Sequence, residues 1–349
     1  MRVIAPTPIH FALLGCGLIS QRHAEQMRKY GVLKAVCDTD IDKAKQVAGD
    51  DPSINIYDSI DKLLEREKML DVVAVCTPNG LHAQHSLKIL KAGIHVLCEK
   101  PMALTSHDCG EMIKQAERFN KRLFIVKQNR FNPPIEALKK VIDDGLLGKI
   151  CSVQLNCFWN RGVEYYSTST WKGRKNLDGG ILFTQFSHFI DLLYWLIGDV
   201  QSVYAFSKNF IHTEVIEFED SGVAALKFVN GILGTINFTI NSYDQNMEGS
   251  ITILGENGTV KIGGQYLNTV DYQKIKGYEL KNLPKGNQAN DYGKYKGSMS
   301  NHNLVYENIL DVLLNNGAVS TNCFEGLKSV EIIEKIYLSA YQNQQLWKA

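Results

Sequence analysis

Three groups of residues in this chain have the types and spacing that chemistry needs. The first is Gly15-Cys16-Gly17-Leu18-Ile19-Ser20, lying between an apolar run and a helical one. Its first glycine permits a tight turn, and its second lets the main chain approach a diphosphate held at a helix N-terminus. Ser20 stands where the dinucleotide fingerprint has Gly or Ala, and Ser is still small. Asp38 ends the next apolar run, about 20 residues on, where an acid accepts hydrogen bonds from an adenosine ribose. That carboxylate would repel a 2′-phosphate, and Thr39-Asp40 offers no arginine to hold one. The expected cofactor is therefore NAD rather than NADP. A turn plus a helix cap would explain each part alone, but not their combination.

The second group is Glu99-Lys100-Pro101, at the C-terminal end of an apolar run that reads as a parallel strand, where ligands of such sheets bind. Burial moves a lysine toward neutrality, as a general base requires, although a lone lysine at a strand end is more often simply exposed. Pro101 makes a cis Lys-Pro bond available. The third group lies in Leu182–Gly198, which is apolar nearly all round and reads as one buried helix. Thr184, His188 and Asp191 interrupt it on one stripe, and polar groups on a buried face need partners or a ligand. Asp191 is placed either to orient His188 or to satisfy the backbone of a neighbouring loop.

Weaker signals surround these. Lys127-Gln128-Asn129-Arg130-Phe131-Asn132 follows the last strand of the first half, where its amides and Arg130 could line a cleft. Tyr165-Tyr166 and Trp171-Lys172-Gly173-Arg174 read equally as stacking and phosphate-binding elements or as core aromatics with solvated cations. His82 and His85 suggest a metal pair, but no third ligand is near in sequence, so a helix surface is expected and no metal.

The elements that must position these groups fall into two grammars. His10–Gly17, Lys34–Asp38, Val72–Thr77, His95–Glu99 and Arg122–Asn129 are continuous apolar runs, the mark of parallel strands buried on both faces. Helical segments alternate with them at Ser20–Tyr30, Asp40–Ala48, Ser59–Glu67, His82–Ala92 and Ser106–Asn120. The fold class is therefore α/β, beginning with a doubly wound Rossmann sheet over residues 1–126. Residues 127–349 form an α+β domain with an open, mainly antiparallel sheet. Pro133-Pro134 opens its first helix, which closes at Asp144-Gly145. Asn230-Gly231 and Asn257-Gly258 signal hairpins. Residues 276–300 read as a loop, and helices near 302–316 and 323–345 finish the chain.

Composition narrows the class. Lys plus Arg is 38 against 37 Asp plus Glu, a net charge of +1, so nucleic-acid binding has no support. Apolar residues are 44% and charged residues 21%, which excludes wholesale disorder. The 8 cysteines contain no Cys-x-x-Cys pair and sit partly at the ends of strands, as buried thiols in a reducing compartment do. Leu13-Leu14-Gly15-Cys16 imitates a lipoprotein cleavage box, but only Phe11–Leu14 is continuously apolar. No run reaches the 18 or so apolar residues of a membrane span. A cytoplasmic enzyme is expected.

These stretches resemble the glucose–fructose oxidoreductase, inositol dehydrogenase and MocA-like (Gfo/Idh/MocA) family. The likeness rests on Gly15–Ser20, Cys76-Thr77-Pro78-Asn79 with His82, Glu99-Lys100-Pro101, and Gly179-Gly180 followed by His188, and it covers nearly the whole chain. Within the family the sequence is similar to the WlbA-type UDP-N-acetyl-glucosaminuronate 3-dehydrogenases, through Val126–Pro133, Phe158-Trp159 to Tyr165-Tyr166, Trp171-Lys172-Gly173, Asp178-Gly179-Gly180, Gln185–His188 and Glu248–Gly255. A common family pattern has Asp four residues before the histidine; here Thr184 stands there, as in the nucleotide-sugar branch.

The resemblance implies NAD held by Gly15, Gly17, Leu18, Ile19, Asp38, Thr77, Asn79, His82, Glu99 and Gln128. It implies a nucleotide sugar bound by Lys100, Asn129, Arg130, Asn132, Tyr165, Tyr166, Thr184, Gln185 and His188. Lys100 or His188 would take the C3 hydroxyl proton, giving a 3-keto sugar for surface-polysaccharide synthesis. A dimer or tetramer joined through the open sheet is implied as well. Two rivals keep the scaffold. One is a related NAD(P) enzyme acting on UDP-N-acetylglucosamine, a ketosugar or an inositol; the other is a dinucleotide-sensing regulator.

Overall fold

The computed structural model describes residues 8–293 and 295–346. The chain forms two compact units. One runs to Lys127 and takes in His302–Leu327; the other comprises Gln128–Asn301 and the chain from Lys328 onward.

In the first unit, strands and helices alternate as β1 (His10–Leu14), α1 (Ser20–Tyr30), β2 (Val32–Cys37), α2 (Ile41–Ala48), β3 (Asn55–Tyr57), α3 (Ile60–Arg66), β4 (Val72–Val75), α4 (His82–Lys91), β5 (His95–Cys98), α5 (Ser106–Arg118) and β6 (Leu123–Ile125). The sheet order is β3-β2-β1-β4-β5-β6, every pair parallel. Phe11, Leu13, Val73 and Val96 are fully buried, because helices cover both faces and leave no position for alternation. Strand order reverses between β1 and β4, so the crevice for a ligand opens at their C-terminal ends. The expected alternation is found, with one addition: β3 is a three-residue edge strand whose Asn55 and Tyr57 carry no apolar signal.

The second unit opens with α6 (Pro133–Asp143), with proline at its start as expected. It continues through β7 (Ile150–Phe158), α7 (Val163–Ser167), α8 (Ile181–Thr184), α9 (Ser187–Ile197), β8 (Val200–Lys208), β9 (Ser221–Phe228), β10 (Leu233–Thr239), β11 (Glu248–Gly255), β12 (Gly258–Gly263), β13 (Thr269–Ile275), β14 (Ala289–Asp291) and β15 (Lys296–Met299). Seven strands order as β13-β12-β11-β7-β10-β9-β8, antiparallel except for the parallel pair β7–β10. Both expected hairpins are present, β9–β10 and β11–β12. The stretch read as a loop over 276–300 contains the β14–β15 ribbon.

The single helix expected over Leu182–Gly198 is broken in two. Gln185 and Phe186 separate α8 from α9, since the Gln185 carboxamide is drawn to Arg161 and Tyr165. Thr184 thus leaves the stripe of His188 and Asp191. Two helices end the chain, α10 (His302–Asn315) and α11 (Cys323–Leu346). Residues 302–327, read from sequence as part of the second domain, group with the first unit, where α10 packs on α1. All eight cysteines are free thiols, and Cys16, Cys37, Cys98, Cys109 and Cys157 are buried. Among the described residues no helix is long and apolar enough to cross a membrane.

Candidate active site

In the first unit, Gly15 has φ +93, and a Cβ there would lie 2.6–2.7 Å from the main chain of Cys76 and Thr77. Only glycine fits that crossing of the β1 and β4 loops. A Cβ on Gly17, by contrast, would meet nothing within 4 Å, so the main chain there faces open space. Ile19 at the α1 N-cap makes no side-chain cap, and the first turn of α1 carries no acid. Uncapped amides without a repelling carboxylate suit a diphosphate. Exposed Leu18 sits between the two. Asp38 accepts from the Cys16 N–H at 2.6 Å and the Asp40 N–H at 2.8 Å, which fixes the carboxylate beside the glycine loop. Each carboxylate oxygen retains a lone pair, enough for ribose hydroxyls. These residues fit a dinucleotide.

Thr77 and Asn79 follow β4 as expected. The helix-surface reading of His82 needs correction: it is buried, with Nδ1 2.7 Å from the Pro101 carbonyl and Nε2 2.8 Å from that of Thr77. His82 therefore ties the loop after β4 to the loop after β5. His85 lies 3.0 Å from Thr77 Oγ1, and burial lowers its pKa to about 4.

Lys100 is half-buried and its bond to Pro101 is cis. Its own N–H donates to Glu99 Oε2 at 3.0 Å. Glu99 Oε1 lies 2.9 Å from His23 Nε2 and 3.5 Å from His302 Nε2, while His23 Nδ1 reaches the Tyr306 hydroxyl at 2.8 Å. Burial pushes Glu99 up, but the His23 hydrogen bond and the neighbouring His302 imidazole outweigh it and hold the carboxyl well below the usual range. Burial in turn lowers His23. His23, Glu99 and His302 form a buried group of metal-ligand types among the described residues. The His23–Glu99 bond and the Lys100 N–H to Glu99 brace the main chain at Lys100. Sequence reasoning missed both histidines, since α1 and α10 are far apart in the chain.

In the second unit, Gln128, Asn129 and Arg130 form a buried 3-10 turn. Asn129 is 1% exposed, and among the described residues neither atom of its carboxamide has a hydrogen-bond partner; Gln128 Oε1 and Ser187 Oγ are likewise unmet. Buried polar atoms left unmet cost about 1–3 kcal/mol each, so such a cluster marks a place built for something else to bind. His188 follows Ser187 at the start of α9 and is buried. Arg130 is committed to Asp191 by two bonds of 2.7 and 2.8 Å, and Ser329 Oγ adds a third interaction at 3.2 Å. Asp191 thus serves Arg130. Asn132 donates to the carbonyls of Tyr266 and Leu267 and accepts from Asn301, which makes it a brace.

Gln185 donates to the Tyr165 hydroxyl at 2.9 Å and accepts from Arg161 Nε at 2.9 Å. Tyr166 stacks edge-on against Tyr165 and His212. Thr184 Oγ1 donates to Asp178, whose pKa burial raises to about 6. Arg161, Asn246 and Tyr295 join this cluster without having been singled out from sequence. Arg161 stands alone between Asn160 and Gly162, with no pattern to mark it.

A parallel sheet with a glycine loop and a ribose-side acid defines a dinucleotide-dependent enzyme. Residues 9–127 match the oxidoreductase family with NAD-binding Rossmann fold, and residues 135–261 match the GFO/IDH/MocA C-terminal domain. The chain belongs to the Gfo/Idh/MocA family and is an NAD-dependent oxidoreductase. It is similar to the WlbA dehydrogenase of Bordetella pertussis, solved with NADH and UDP-GlcNAcA, at 36% identity, with a TM-score of 0.86 and coverage of 96% of this chain and 97% of that one. The WlbA dehydrogenase of Chromobacterium violaceum, solved with the same ligands, is 35% identical, with a TM-score of 0.86 and 97% of each chain covered. D-glucoside 3-dehydrogenase of Escherichia coli K12 is 30% identical over 239 residues, 66% of this chain and 67% of that protein.

Proposed function

We propose that this chain oxidises the C3 hydroxyl of a UDP-N-acetyl-glucosaminuronate-like nucleotide sugar to the 3-keto sugar, within surface-polysaccharide synthesis. The observation that carries the reading is the whole-length similarity, at 35–36% identity, to two dehydrogenases solved with NADH and UDP-GlcNAcA. The unmet amides of Asn129 and the shared hydrogen bonds of Gln185 and Tyr165 give it support from this chain itself.

In this reading the Gly15–Ser20 loop and Asp38 hold NAD, which when bound accepts the hydride leaving C3. Lys100 and His188 are the acid–base groups, and one of them takes the hydroxyl proton. Glu99 and His23 keep the Lys100 main chain in place. Asn129, Tyr165, Tyr166, Thr184 and Gln185 orient the sugar nucleotide. The exposed face of the seven-stranded sheet carries Tyr204, Val223 and Leu233, which supports self-association into a dimer or tetramer.

The test is NADH formation from NAD with UDP-N-acetyl-glucosaminuronate, UDP-N-acetylglucosamine, free glucosaminuronate and myo-inositol, with the oxidised sugar identified directly. A parallel set carries 2-oxoglutarate to reoxidise retained NADH. Turnover confined to the UDP-uronate is expected. Turnover only with another member of the panel would overturn the substrate assignment and leave the oxidoreductase standing.

A further inference from the structure

Arg161 is 2% exposed, yet among the described residues the groups it touches carry no negative charge. Its nitrogens donate to the Gln185 carboxamide (2.9 Å), the Asn160 carbonyl, Asn246 Oδ1 (3.0 Å) and the Lys296 carbonyl (3.5 Å). Three rings enclose the guanidinium: Trp159 at 4.9 Å, Tyr165 at 5.4 Å and Tyr295 at 4.8 Å. A second cation shares two of those rings, with Lys172 Nζ 3.7 Å from the Tyr165 centroid and 5.5 Å from that of Tyr295. Among the described residues this ammonium makes no ion pair and no hydrogen bond. Asp178, the carboxyl of its own segment, favours the ammonium only through space, its hydrogen bonds going to the Gly173 N–H at 2.7 Å and to Thr184.

Two cations desolvated side by side repel each other, and the ring faces offset only part of that cost. Burial first, and Arg161 second, bring the Lys172 pKa down to about 8. Buried charges in folded proteins are normally paired. Lys172 has three donors and among the described residues none of them is spent, so an incoming oxyanion would complete the balance.

We infer that Lys172, backed by Arg161 and walled by Tyr165 and Tyr295, is an oxyanion-binding subsite of the second unit, taking the carboxylate or the diphosphate of an anionic sugar substrate. The inference rests on the nucleotide-uronate reading above. Lys172 touches the oxyanion directly. Arg161, with its nitrogens largely spent on neutral acceptors, is a positioning residue that supplies field.

The experiment is calorimetric titration of NADH-loaded wild type, Lys172→Met and Lys172→Arg with UDP-N-acetyl-glucosaminuronate, UDP-N-acetylglucosamine and UDP. Removing a charge-assisted hydrogen bond from a partly buried site weakens binding roughly 10- to 100-fold. Weakening of that size in Lys172→Met for the uronate alone, restored in Lys172→Arg, supports the subsite and identifies the carboxylate. An equal weakening for all three ligands, restored likewise, supports it and identifies the diphosphate. Wild-type affinity of Lys172→Met for all three overturns the subsite and leaves the proposed function intact. Failure of the wild type to bind any of them overturns that function and the subsite with it. Thermal melting of each variant accompanies the titrations, and weakened binding that Lys172→Arg leaves unrestored despite a wild-type melt also counts against the inference.

Discussion

Replacing Arg130 by methionine tests whether that arginine is a ligand-binding group or part of the frame. Its guanidinium is 4% exposed and Asp191 is 2% exposed, and the two are joined in a fork of two bonds at 2.7 and 2.8 Å. Arg130 also lies 5.1 Å from the Trp195 ring. Methionine fills much of the volume but leaves Asp191 buried with Ser329 as a remaining partner. Removing one member of a buried pair costs about 3–5 kcal/mol, most of it the penalty of the carboxylate left behind. For a unit of this size each kcal/mol moves the unfolding midpoint by about 2–4 °C, so the expected drop is roughly 6–20 °C. Replacing both partners, Arg130→Met with Asp191→Leu, removes the stranded charge and restores most of that drop. Urea and thermal unfolding followed by circular dichroism read both effects. An Arg130→Met protein with the wild-type midpoint and a KM for the nucleotide sugar raised tenfold would refute the structural assignment and give Arg130 a direct role in holding substrate.

Lys100→Met lowers turnover by roughly 10²–10⁴-fold while NADH still binds, read by steady-state rates beside fluorescence titration; near-normal turnover removes Lys100 from proton transfer. Gly15→Ala places a methyl 2.6 Å from the Cys76 main chain at φ +93 and destabilises the first unit, whereas Gly17→Ala meets nothing within 4 Å among the described residues, keeps the wild-type melt and weakens NAD binding. Equal melts with equal NAD affinities for the two variants would refute the reading of the loop. Burial raises the Glu219 pKa to about 7, and the Tyr337 hydroxyl donates to Glu219 Oε1 at 2.6 Å. Its proton is bound more tightly folded than unfolded, so its contribution to stability is complete below the ordinary glutamate pKa and is lost as pH rises through 7. Glu219→Gln flattens unfolding free energy against pH between 5 and 8; an unchanged slope would sink the assignment.

What the amino-acid order reveals, and where it stops, follows from the range of each interaction. The Rossmann strands are readable because burial on both faces leaves continuous apolar runs, and the glycine loop because its turn and helix start are adjacent in the chain. β3 escapes because an edge strand with Asn55 and Tyr57 needs no apolar run. The helix expected across Leu182–Gly198 fails for a different reason: the apolar pattern continues through the break, while the groups that draw Gln185 away lie on Arg161 and Tyr165. The two arginines show the limit most directly. From its neighbours in sequence Arg130 looks like a ligand-binding group, and Arg161, between Asn160 and Gly162, looks like nothing in particular. Tertiary structure gives Arg130 a carboxylate from 61 residues away and, among the described residues, gives Arg161 neutral acceptors. The Arg130 charge is neutralised inside the fold by Asp191, and among the described residues the Arg161 charge meets no such partner. A cation's role in this protein is therefore set by the counter-charge the fold does or does not bring to it, which is a property of tertiary packing and not of the local pattern.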